Sequence, residues 1–144
     1  MQIEMEEVSL TPFEQTEIAI TPFSVEEIER LAEAYGTPLF LIDEATLRSR
    51  LKRLQAAFSS YRGVVRIAYS MKANFNPSVI KVFLSEGILF DVTSLGELYF
   101  YRMSGGDPEN VIYTSVTEES SEYMTLLEEG VKHIVVSSYN GLLN

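Results

Sequence analysis

The sequence lacks cysteine altogether, which excludes disulfides, thiolate catalysis and cysteine-based zinc sites and suits a reducing compartment. Its single histidine, His133, leaves little from which to build a hydrolytic triad. Glycine-rich phosphate loops of the G-x-G-x-x-G or Walker type are missing as well. No apolar run reaches the ~20 residues of a membrane helix. The leading stretch Met1-Gln2-Ile3-Glu4-Met5-Glu6-Glu7 is acidic where a signal peptide is basic, so the expected location is the cytoplasm. Basic residues number 11 against 21 acidic ones, and the net charge of -10 opposes attraction to nucleic acid or to an anionic membrane surface. The one basic concentration, Arg48, Arg50, Lys52 and Arg53, has helical spacing and reads as a solvated helix face.

What remains is an ordinary globular composition: 144 residues, 46% hydrophobic and 22% charged, enough for one domain with a real core. Residues 1–23 carry two echoes, Leu10-Thr11-Pro12-Phe13 and Ile20-Thr21-Pro22-Phe23, without helical periodicity, and read as an extended or mobile N-terminal extension. Ser24 and Glu27 form a capping box ahead of Ile28, Leu31, Ala32 and Tyr35, a short helix that stops at Gly36. Pro38-Leu39-Phe40-Leu41-Ile42 reads as a brief strand, and Asp43 caps a helix whose apolar stripe is Leu47, Leu51, Leu54 and Phe58.

From residue 64 the chain repeats, with strands beginning near Val65, Leu89, Val111 and His133 at intervals of about 22 residues, each followed by a helix. Asn76-Pro77 opens one helix and Gly87 ends it; Ser94 with Glu97 caps the next, ended by Gly105 and Gly106; Thr117 with Ser120 opens a third, closed by Gly130. Alternation of this kind gives a parallel sheet flanked by helices, either an open doubly wound sheet or a section of an eight-stranded barrel. In both, chemistry collects at the carboxyl ends of the strands, here Tyr69–Asn74, Asp91–Ser94, Thr114–Thr117 and Ser137–Tyr139.

Lys72 is the cation at the end of the first of these strands. Burial there would favour its neutral, nucleophilic amine. The alternatives are an ammonium that reaches past the strand end into solvent, or one paired with Asp91 on the next strand. Asp91 is correspondingly either a structural ion-pair or turn residue, or a carboxylate that orders water beside the lysine. Ser94 and Glu97 are accounted for by capping, and the hydroxyls at Thr114, Ser115, Thr117, Ser137 and Ser138 are typical of strand-to-helix loops. His133 starts its strand and faces away from the chemistry, and Tyr99, Phe100 and Tyr101 read as helix packing.

Three blocks carry a resemblance: Tyr35-Gly36-Thr37-Pro38-Leu39-Phe40-Leu41-Ile42-Asp43-Glu44, Ala68-Tyr69-Ser70-Met71-Lys72-Ala73-Asn74 and Gly87-Ile88-Leu89-Phe90-Asp91-Val92-Thr93-Ser94-Leu95-Gly96-Glu97-Leu98. In order and spacing they resemble the diaminopimelate decarboxylase family, a fold-type III group that includes ornithine decarboxylase and the bacterial alanine racemases. The resemblance implies an α/β fold: a partial (β/α)8 TIM-type barrel of about four parallel strands, preceded by an N-terminal helix and strand. It implies pyridoxal 5'-phosphate as cofactor, Lys72 as its Schiff-base lysine and Asp91 as the acidic residue of the third block.

The reaction implied is decarboxylation of a small-molecule amino acid, first meso-diaminopimelate to lysine and second an ornithine-, lysine- or arginine-type reaction, in a homodimer. The third strand end, Ile112-Tyr113-Thr114-Ser115-Val116-Thr117, departs from the glycine, asparagine and lysine loop usual in diaminopimelate decarboxylases, which leaves the substrate open. On this reading residues 24–144 are the amino-terminal half of a cofactor-binding barrel. The expectation is then little activity for this chain alone, with a non-enzymatic, self-associating half barrel as the alternative.

Overall fold

The computed structural model describes residues 21–143, so most of the N-terminal extension, residues 1–20, lies outside the described residues. The chain divides into two units, Met1–Ile42 and Asp43–Asn144. In the first, α1 (Val25–Tyr35) begins at the expected capping box: the Glu27 amide donates to Ser24 Oγ at 3.2 Å and the Ser24 amide to Glu27 Oε2 at 2.9 Å. The strand expected at Pro38–Ile42 is not formed. A strand exists only through a ladder, and the single sheet among the described residues does not include this segment. Phe40 is 95% exposed.

The second unit opens with α2 (Glu44–Ala57), capped as expected by Asp43, whose Oδ2 accepts the Thr46 amide at 2.7 Å. Of its apolar stripe, Leu51 is buried and Leu47 packs on the core, while Leu54 and Phe58 stay half exposed. Arg48 is not merely a solvated charge. It pairs with Glu44 at 2.8 Å and with Glu86, and donates to Ser85 Oγ at 2.9 Å, tying α2 to the end of the next helix.

Then follow β1 (Ala68–Ser70), α3 (Pro77–Ser85), β2 (Leu89–Val92), α4 (Leu95–Met103), β3 (Val111–Thr114), α5 (Ser120–Glu128), β4 (His133–Val135) and a short α6 (Tyr139–Leu143) not foreseen from the sequence. All pairs are parallel, in the order β1-β2-β3-β4. Ala68 pairs with Leu89, Phe90 with Val111 and Ile112 with His133. β1 starts at Ala68, three residues into the run expected from Val65. The other three strands start where their apolar runs do.

Because side chains alternate along a strand, this register sorts them onto two faces. Phe90, Val92, Val111 and Tyr113 are fully buried against the helices, with Tyr69 and Ile134 packed beside them. Leu89, Asp91, Ile112 and Thr114 lie on the opposite face and are only half-buried. The core therefore sits between sheet and helices. It includes Met71, Ile80, Tyr101 and Leu126, all at 0% exposure.

Glycines end α3, α4 and α5 as expected, and Gly87, Gly105 and Gly130 all have positive φ. Gly106 has a different reason: a Cβ there would run into the Tyr101 ring, whose hydroxyl donates to the Asp107 carbonyl at 3.0 Å. Two expected caps differ. Ser94 does accept the Glu97 amide at 3.2 Å, but the Glu97 carboxylate takes the Thr93 amide at 2.8 Å instead of closing a box. Helix α5 begins after Glu119 with no side-chain cap, because Thr117 turns its hydroxyl to Glu122 at 2.8 Å. Among the described residues no helix is long and apolar enough to cross a membrane.

Candidate active site

The carboxyl ends of the four strands bring their loops together along one edge of the sheet. β1 runs into a single 3-10 turn, Met71–Ala73, with Lys72 at its centre. Met71 is completely buried and roots the turn in the core, while Lys72 is exposed and makes no hydrogen bond or ion pair among the described residues. Of the two bland alternatives for this lysine, solvent exposure is what the structure has, and pairing with Asp91 is not. The cleft beside Lys72 is lined by Ala73, Asn74, Phe75, Asn76, Pro77 and Phe100.

Asp91 is engaged by hydroxyls instead. Ser70, its register partner on β1, donates to Oδ2 at 2.9 Å, and Thr114 on β3 donates to Oδ1 at 2.9 Å. One carboxylate thus bridges three neighbouring strands on the half-open face, two positions before Lys72 in the register of β1. Its orientation is fixed from both sides. Ser70 went unremarked in the sequence and Thr114 was only one loop hydroxyl among several. Period-two alternation would have found both, since Asp91 pairs with Ser70 and with Ile112, and Thr114 follows Ile112 by two.

Two further carboxylates gather the loop hydroxyls. Glu122, in the first turn of α5, accepts from Tyr113 Oη at 2.6 Å, from Ser115 Oγ and from Thr117 Oγ1. Burial, and then the bond to Glu122 itself, push the Tyr113 phenol far up. Glu118 stands in the left-handed region at φ 54 and accepts the Ser137 amide at 2.5 Å, the Ser137 hydroxyl at 2.8 Å and the Ser138 hydroxyl. The Ser138 hydroxyl and then the Ser137 groups hold its carboxyl down at about 2. Neither glutamate was singled out from the sequence. They are structural ties between loops, and Glu118 joins the loop after β3 to the loop after β4.

His133 begins β4, at the end of the sheet opposite these loops as expected, but its register through Ile112 puts it on the same face as Asp91 and not on the face away from it. Tyr101 is core, while Phe100 stacks on Phe75 with ring centroids 5.5 Å apart.

A primary amine without a partner among the described residues, on a rooted turn at the strand ends, is the group that a cofactor carrying an aldehyde requires. Residues 44–144 match the family model described as the pyridoxal binding domain of pyridoxal-dependent decarboxylases. The chain belongs to that family. Its cofactor is pyridoxal phosphate.

The diaminopimelate decarboxylase of Methanothermobacter thermautotrophicus is 39% identical over 113 residues, covering 78% of this chain and 26% of that protein. The corresponding enzyme of Neisseria meningitidis serogroup B is 40% identical over 103 residues, 72% of this chain and 24% of the relative. The crystal structure of the lysine/ornithine decarboxylase of Vibrio vulnificus, complexed with cadaverine, superposes with a TM-score of 0.75 at 28% identity, over 83% of this chain and 33% of that one. The chain thus spans about a quarter of the length of these curated relatives. The two sheet architectures left open by the sequence are thereby resolved: the four parallel strands are a section of a (β/α)8 barrel, and the half-open face is the one that looks into it.

Proposed function

We propose that this chain carries the cofactor-attachment site of an amino-acid decarboxylase acting on a basic substrate, with meso-diaminopimelate first and an ornithine- or lysine-type amino acid second. The observation that carries the reading is Lys72, an unpaired amine centred on a turn at the carboxyl end of the first barrel strand. When bound, pyridoxal phosphate supplies an electron sink for the pair left on the α-carbon as carbon dioxide departs. Lys72 would be the residue that holds the cofactor, through its Nζ, and its amine would be the group able to take up or give a proton at that position. Asp91, pinned by Ser70 and Thr114, presents a fixed negative charge at the same mouth and orients groups that donate to it.

The diaminopimelate decarboxylases at 39% and 40% identity favour that substrate, and the Vibrio structure keeps the second open. The face bearing Asp91 is half-open to water in the described residues, whereas decarboxylation on this cofactor gains from water exclusion. The chain by itself is therefore expected to bind the cofactor but to turn over slowly. The test is to incubate it with pyridoxal phosphate, reduce with borohydride and measure incorporated label. Lys72→Ala should lose most of the label, and an unchanged yield would overturn the assignment. Meso-diaminopimelate should compete with labelling more strongly than ornithine or lysine.

The half-open face, and the edges of β1 and β4 that have no strand partner among the described residues, favour one further reading, self-association of the chain. Light scattering at high concentration should show a species larger than the monomer. A clean monomer would refute it.

A further inference from the structure

The turn that presents Lys72 is closed by a single side chain. Tyr69 is the last helix-facing residue of β1, and its ring is wedged between Phe83 of α3, with centroids 4.3 Å apart, and Phe90 of β2 at 6.0 Å. From that fixed ring the hydroxyl donates to the Asn74 carbonyl at 2.9 Å. The chain between the two, Ser70 to Ala73, is thereby an arch with Lys72 near its crown. Its foot at Ser70 is tied to Asp91, and Met71 is buried beneath it. Beyond the arch the Asn76 amide donates to Asn74 Oδ1 at 3.0 Å, and the Phe75 ring leans on Phe100 of α4.

A long lysine side chain loses much of its precision if the backbone beneath it moves, and an exposed lysine has no side-chain partner to compensate. We propose that Tyr69 is a positioning residue for Lys72: its hydroxyl holds the far end of the arch, and the Phe75–Phe100 pair braces the same end from α4. The inference rests on the assignment of Lys72 as the attachment point, and it adds how that amine is kept in place. Tyr69 touches neither cofactor nor substrate in this account. It acts through the Asn74 carbonyl alone.

The test uses the whole chain, pyridoxal 5'-phosphate as the probe, and borohydride trapping followed by peptide mapping. Lys81 and Lys132 of the same molecule serve as internal standards. Tyr69→Phe removes one oxygen and keeps the packed ring, so the fold should persist. Labelling of Lys72 relative to Lys81 and Lys132 should slow by about fivefold, the factor that one ordinary net hydrogen bond is worth. Phe100→Ala should give a smaller loss and Phe100→Leu should restore most of it. A general structural defect would instead change all three lysines together. Selective loss at Lys72 upholds the proposal. An unchanged ratio in both Tyr69→Phe and Phe100→Ala overturns it, as does a uniform change. Failure of the wild type to label Lys72 preferentially would strike the attachment reading itself, so the two failures are distinguishable.

Discussion

The bridge at Asp91 offers a quantitative test of the site's architecture. Replacing Asp91 with alanine removes two hydroxyl-to-carboxylate bonds of 2.9 Å that link β1, β2 and β3. Bonds to a charged acceptor contribute about 1.5–3 kcal/mol each when enclosed, but this face is half-open and water can replace the lost partner, so about 1–2 kcal/mol for the pair is expected. With a urea m-value of about 1.5 kcal/mol/M for a chain of this size, the unfolding midpoint should fall by roughly 1 M with no change in slope. Asp91→Asn keeps the shape and an acceptor and should lose about half as much. A cycle with Thr114→Val separates the bridge from mere removal of a carboxylate, and the two changes should couple by about 0.5–1.5 kcal/mol. Strict additivity, or an Asp91→Ala midpoint equal to that of the wild type, would show that the bridge contributes nothing.

Other consequences follow from burial and charge. Phe90 is fully enclosed and stacks on Tyr101 at 4.8 Å, so Phe90→Ala should cost about 3–5 kcal/mol in urea unfolding. Phe40→Ala, at a side chain 95% exposed, should stay within about 0.5 kcal/mol. Glu118 has a folded-state carboxyl held at about 2 against an ordinary 4.5, a depression caused first by the Ser138 hydroxyl. A depressed carboxyl stabilises above its unfolded value and loses that stabilisation as pH falls through its folded value. Thermal unfolding of the wild type and Glu118→Gln should therefore differ in full above pH 4.5 and converge as pH falls toward 2. A gap that persists or widens in acid would contradict the tie between Glu118 and the serines.

Much of the fold was legible because helices and strands here obey their periods and carry their own punctuation. Asn76-Pro77, Ser24 with Glu27, and the positive-φ glycines mark boundaries that the structure keeps. The failures have separate causes. Pro38–Ile42 has strand-like composition, but pairing is a tertiary property that composition does not encode. The start of α5 shifted because Glu122 competes for the hydroxyl of Thr117, and the expected box at Ser94 opened because Glu97 found a nearer amide at Thr93. Alternation alone could not tell a doubly wound sheet from a barrel, and the likeness to a solved decarboxylase structure decided it.

For the site, Lys72 and Asp91 were visible as strand-end charges. Their separation was not. Only the register shows that Ser70 and Thr114 claim the carboxylate and leave the amine free. Tyr69 was hidden for the opposite reason, since an aromatic residue in an apolar strand reads as core until its hydroxyl is seen on Asn74.

Lys72, among the chain's four lysines, is proposed as the one built to take the cofactor. Peptide mapping after incubation with pyridoxal phosphate and borohydride reduction tests it most directly. Label should concentrate on Lys72, with Lys52, Lys81 and Lys132 at background. Label spread evenly over the four, or concentrated on any other lysine, would contradict it.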